Sequence, residues 1–144
     1  MVEQDTIKLL RECDAGIKMG IKSIDDVYSH TTSHKIRNLL DECNREHKKL
    51  DKELQKLLAA YHDDGKAPNP VATGMSWIKT NVMLGLDESD KTVASLMTDG
   101  CDMGIKSLNK YLNQYKAADE KSKDICKRLI KVEEDLRTQM QEYL

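Results

Sequence analysis

Over residues 4 to 30 apolar side chains return at steps of three and four: Ile7, Leu10, Cys13, Ile17, Ile21, Ile24 and Tyr28. A stripe with that spacing is one face of an α-helix. After a break at "HTTSH", where Ser33 can cap, residues 34 to 62 repeat it through Ile36, Leu40, Cys43, His47, Leu50, Leu54, Leu57 and Tyr61. A third stripe follows "DESD" over residues 89 to 115, with Val93, Met97, Cys101, Ile105, Leu108, Leu112 and Tyr115. Beyond the turn "KAADEKS", a fourth holds Ile125, Leu129, Val132, Leu136, Met140 and Tyr143.

Between the second and third stripes, "DDGKAPNPVATG" ends a helix with its glycines and with Pro68 and Pro70, the two prolines of the chain. The piece that follows, "MSWIKTNVMLGL", carries Met75, Ile78, Val82 and Leu86 on one side and reads as a short crossover helix. Short turns within each pair of long helices make each pair antiparallel, and a connection of ~25 residues is enough to carry the chain the length of a bundle. The pattern predicts an all-α fold. It is a four-helix bundle of two antiparallel helical hairpins joined by a crossover segment with a short helix, in a single domain over residues 1–144.

A repeat supports the pairing of hairpins. "CDAGIKMGIKS" at residues 13 to 23 is echoed by "GCDMGIKSLNK" at residues 100 to 110, with two registers available. An offset of 88 aligns Cys13, Asp14 and Gly16 with Cys101, Asp102 and Gly104, whereas 84 aligns Gly16, Met19 and Gly20 with Gly100, Met103 and Gly104. The difference is one helical turn, so either keeps the apolar stripe inward. The second helix maps onto the fourth at an offset of 90, pairing Leu39 and Leu40 with Leu129 and Ile130. Gly16, Gly20, Gly100 and Gly104 each cost a helix about 1 kcal/mol relative to alanine. Their shared spacing points to close approach of the first and third helices to each other or to a second subunit.

Hairpin, long connection and hairpin in one short chain, with stretches such as "GCDMGIKSLNKYL", resembles the ferritin-like four-helix bundles. More narrowly it is similar to small bacterial ferritin-like families of unknown function, some of them associated with stress responses. The resemblance implies a fold and often a homodimer. Where the wider family has chemistry, it uses a glutamate from each of two helices and Glu-x-x-His from each of the other two, converging on two metal ions. Here the second helix offers "NREH", with Asn44 in the glutamate position and His47 kept. The fourth offers "EDLR", with Glu134 kept and Arg137 in the histidine position. Folding the first helix back on the second places Ile17 roughly opposite His47, with Asp14 the nearest acid. His47, Cys43, Glu134 and Asp14 are the weak metal candidates, and an intact dinuclear centre is not expected. A buried Arg137 would seek Glu134, Asp14 or Asp102.

Charge and thiols narrow the rest. The 23 basic and 25 acidic residues leave a net charge of −2, so no basic field exists to gather nucleic acid. No stretch approaches the ~18 apolar residues of a membrane span, and the start carries acidic residues where a secretory signal needs basic ones, so a cytoplasmic location is expected. Cys13, Cys43, Cys101 and Cys126 form no CxxC pair and read as reduced thiols. The first three are expected to react slowly, lacking an activating cation on the same turn, and Cys126 to be the most accessible. Cys43 and His47, four apart, have a spacing that can hold zinc if other helices add ligands, but packed small thiols are the better reading. His47 lies on the apolar stripe, which argues against a phosphorylated histidine. Trp77, Met75 and Met83 cannot all be covered by one stripe and are the interface candidates for a homodimer. No catalytic residue and no cofactor are expected. The expected function is non-catalytic, through structure or protein interaction; the alternative is a metal-binding ferritin-like protein with an altered or degenerate di-metal site.

Overall fold

The computed structural model describes residues 3–67 and 89–144. They form four long α-helices: α1 (Gln4–Tyr28), α2 (His34–Ala60), α3 (Asp90–Gln114) and α4 (Glu120–Met140), the last followed by a 3-10 turn at Gln141–Tyr143. Three of the four starts are set by a side chain that satisfies an otherwise orphaned amide. Ser33 Oγ accepts from the Ile36 N–H, Ser89 Oγ from Thr92 and Asp119 Oδ1 from Ser122. Because Asp119 caps α4, that helix begins at Glu120, five residues before Ile125. The proposed crossover helix, with Trp77, Met75 and Met83, lies outside the described residues.

The buried side chains fall into two clusters stacked along the bundle. One gathers Leu9, Leu10, Cys13 and Ile17 of α1 with Leu50, Leu54 and Leu58 of α2, Leu108 of α3 and Ile125, Cys126, Leu129 and Ile130 of α4. The other holds Ile24 and Val27 of α1, Ile36, Leu40 and Cys43 of α2, Val93, Met97 and Cys101 of α3 and Leu136 and Met140 of α4. Each helix therefore passes from one cluster to the other, which fixes its direction. α1 and α4 run one way; α2 and α3 run the other. α2 thus ends at the opposite end of the bundle from the start of α3. α1 packs on all three partners and α4 packs on α1, α2 and α3, leaving α2 and α3 across the diagonal. Burying large aliphatic side chains such as Leu9, Leu54 and Leu129 stabilises the bundle by about 1.5–3 kcal/mol each.

The stripes survive with small shifts of phase. Leu58, not Leu57, is the buried residue near the end of α2, and Tyr28, Tyr61, Tyr115 and Tyr143 lie only half-buried at the ends of their stripes. The expectation for Cys126 is overturned: it is fully buried, its thiol pointing to the Leu108 carbonyl of α3 at 3.7 Å. Among the described residues no helix is long and apolar enough to cross a membrane.

Candidate functional site

Where the two clusters meet, the core turns polar. His47 of α2 is 1 % exposed and reaches across to α4, its Nε2 lying 2.9 Å from Glu133 Oε1. On the ring's other side Nδ1 lies 2.8 Å from the carbonyl oxygen of Cys43, one turn back on the same helix, and 3.5 Å from its sulfur. A carbonyl oxygen can only accept, so Nδ1 carries a proton; Nε2 faces a carboxylate oxygen, and a charged ring satisfies both contacts at once as a donor. The arrangement favours an imidazolium. Burial opposes that charge, but the hydrogen bonds with Cys43 and Glu133 and the negative charge of Glu133 outweigh it, and His47 is pushed up to about 10. α3 contributes Cys101, 1 % exposed, whose thiol is pushed up by burial and then by the charge of Glu133 and a hydrogen bond to it.

α1 makes room for the ring. A Cβ at Gly20 would stand 2.7 Å from His47 Cδ2, closer than real side chains approach. Gly104 of α3 faces the other member of the pair, with Glu133 Oε2 3.7 Å from where its Cβ would be. Gly20 and Gly104 therefore flank one level of the bundle from opposite helices, the relation given by the offset of 84. The remaining glycines do less. Gly16 meets Leu129 and Leu108 at ordinary distances, and nothing lies within 4 Å at Gly100. The glycines thus do not serve a general close approach of α1 and α3; Gly20 admits an imidazole.

The expected metal candidates are separated. Asp14 is fully buried six residues from Gly20, ~9 Å along the axis from the level of His47. Its oxygens accept from Lys18 Nζ at 2.8 Å, from Gln55 Nε2 at 2.9 Å and from the backbone N–H of Lys66 at 2.9 Å. That last bond holds the loop after α2, where Gly65 takes φ +78° and a Cβ would stand 3.0 Å from Asp14 Cγ. The same loop is pinned to α1 by Arg11 with Asp63 and by Lys66 with Glu12. Position 133, not Glu134, supplies the carboxylate at His47, and Gly20, not Ile17, lies opposite it on α1. Arg137 pairs with Asp102 at 3.1 Å, as one of its three expected partners, but both side chains are well exposed and no buried guanidinium exists there. Cys43 and His47 do meet. Even so, among the described residues no three His, Cys, Asp or Glu side chains come together in a way that could hold a metal ion.

Sequence reasoning missed Glu133 and Gly20 as members of the site. The signal was present in the shared Gly20 and Gly104 spacing, but it needed the axial level of α4 to be read. Cys43 also differs from expectation, since a cation does stand on the same turn. It is 6 % exposed and lies in the floor of a groove of about 330 Å³ between α2 and α4, with Leu39, Val132 and Leu136 beside it and Lys49 and Lys131 on the rim. In comparison with known proteins, the chain matches no family model, no curated protein and no solved structure.

Proposed function

We propose that this chain is a ferritin-like bundle that acts through structure or protein interaction, without catalysis, with His47, the histidine kept at a ligand position, given over to an internal ion pair. The observation that carries this reading is the double engagement of His47. Metal coordination needs a lone pair on an imidazole nitrogen. Here one nitrogen is turned to the Cys43 carbonyl and the other to the Glu133 carboxylate. The helix directions, with α1 and α4 opposed to α2 and α3, agree with a bundle built with one long connection, as in ferritin-like folds. A bacterial, cytoplasmic, stress-associated homodimer joined through Trp77, Met75 and Met83 completes the proposal, and sedimentation at tens of micromolar with dilution of Trp77 fluorescence tests the dimer.

The experiment that tests the central claim is elemental analysis of protein purified without chelator, followed by iron titration under air. The expected result is no stoichiometric metal and a His47→Ala variant changed in stability alone. Stoichiometric iron or manganese that disappears in His47→Ala would replace this reading with that of an altered di-metal protein.

A further inference from the structure

From the arrangement of Cys43, His47, Glu133 and the groove above them, we propose that Cys43 is a site of oxidation by hydroperoxides, selected among the four cysteines by its imidazolium neighbour. A thiol reacts with peroxide through its sulfur electron pair, and the reaction is favoured where negative charge on sulfur is met by a nearby cation. Cys43 Sγ lies 3.5 Å from the protonated Nδ1 of His47, and Glu133 holds the far side of the ring at 2.9 Å, so the ring cannot swing away. The geometry is thiol, imidazolium and carboxylate in line.

The other three cysteines lack this. Cys13 is held as a thiol by its contact with Cys126 and by burial, aided by the charges of Glu12 and Asp14. Cys101 faces the Glu133 carboxylate, whose like charge opposes an anionic sulfur. Cys126 is fully buried against the Leu108 carbonyl.

The surroundings also restrict what can react. Cys43 lies within α2, where backbone amides are committed to the helix, so no pair of free N–H groups is available to hold the oxyanion of an acyl transfer. Displacement at a small electrophile needs no such hole. Cys43 is among the residues that line the groove of about 330 Å³, and at 6 % exposure of the residue an oxidant near the size of water is favoured over a bulky alkylating reagent. In the step itself the sulfur pair attacks the terminal oxygen of ROOH, the S–O bond forms and the O–O bond breaks. Sulfur is oxidised by two electrons, the peroxide oxygens are reduced, and the thiol proton ends on the leaving alkoxide to give ROH and Cys43 sulfenic acid.

The test is treatment of the full native chain with hydrogen peroxide, removal of the oxidant with catalase, unfolding in the presence of dimedone to trap sulfenic acid and mapping of the labelled peptides, in parallel with alkylation of the native chain by iodoacetamide. The expected result is sulfenic acid at Cys43 alone, slow iodoacetamide labelling of all four cysteines, and at least a tenfold lower peroxide rate at Cys43 in His47→Gln. Glu133→Gln, which frees the ring to turn, is expected to slow the same step if His47→Gln does not fold. A Cys43–Cys101 disulfide formed by the same treatment also supports the proposal, since it forms by loss of water from the sulfenic acid. Oxidation spread evenly over the cysteines, none at Cys43, or an unchanged rate in the folded variants would overturn it.

Discussion

Two charged side chains are fully buried among the described residues, Asp14 and His47, and the bundle satisfies them by opposite means. Asp14 is surrounded by donors that cost little to place: a backbone amide, a glutamine and the amine of Lys18, which remains 44 % exposed. Its charge is balanced from the surface. His47 is balanced from within, by Glu133, whose side chain is only 13 % exposed. The first arrangement ties a loop to a helix; the second places a cation beside a thiol. A buried carboxylate held by two amides and an exposed ammonium is a fastener, whereas an imidazole paired with a carboxylate inside the core has a state that can change.

The largest effect expected from breaking this contrast is that of Glu133→Leu. Removing one partner of a buried pair leaves an uncompensated charge, so stability measured by urea unfolding at pH 6 is expected to fall by about 3–5 kcal/mol. The intact protein should show the linked pH trend. His47 is raised above its ordinary value of 6.5 to about 10, so its stabilising contribution is fully present below pH 6.5 and is lost as pH rises from there through about 10. In His47→Gln that loss over the same window should vanish. A wild-type unfolding midpoint that follows the variant's from pH 6 to 10 would show that the ring is neutral.

Asp14→Ala comes next. It strips the acceptor from the Lys66 amide, Gln55 and Lys18, and losing hydrogen bonds to a charged group costs about 1.5–3 kcal/mol. The loss should be nearly constant from pH 6 to 10, unlike that at Glu133, and proteolysis near Lys66 should quicken as the loop is released.

How far these two centres could be read in the chain differs as well. The stripes through Leu10, Ile17, Leu40, Leu54 and Leu129 locate the helices because a period of 3.6 is local information. The partners of His47 are not local. Glu133 in place of Glu134, and Gly20 in place of Ile17, depend on how far one helix has slid along another, and slides of about one turn leave every stripe inward. Cys126 was misjudged for a related reason: its burial follows from contact with the backbone of α3, which a pattern of side chains along α4 does not record. Asp14 needed the conformation of a loop, and Gly65 alone hinted at it.

Smaller effects come from the glycines and sharpen the account of the central level. Gly20→Ala forces the pinned ring to move and is expected to cost about 1–3 kcal/mol by thermal or urea unfolding. Gly100→Ala meets nothing within 4 Å and should instead stabilise α3 by about 1 kcal/mol through helix propensity. Equal effects at both positions would mean that the imidazole does not occupy the notch.

The notch at Gly20 also binds the inheritance of two distant positions. While the ring fills the volume of a Cβ on α1, a side chain gained at position 20 is harmful until the ring at position 47 is lost, and afterwards glycine at position 20 has no remaining duty there. Descendants of this chain are therefore expected to change the two positions together, keeping Gly with His or replacing both. The two orders of change differ in their cost, since a lineage that shrinks position 47 first passes through a cavity, while one that enlarges position 20 first passes through a clash.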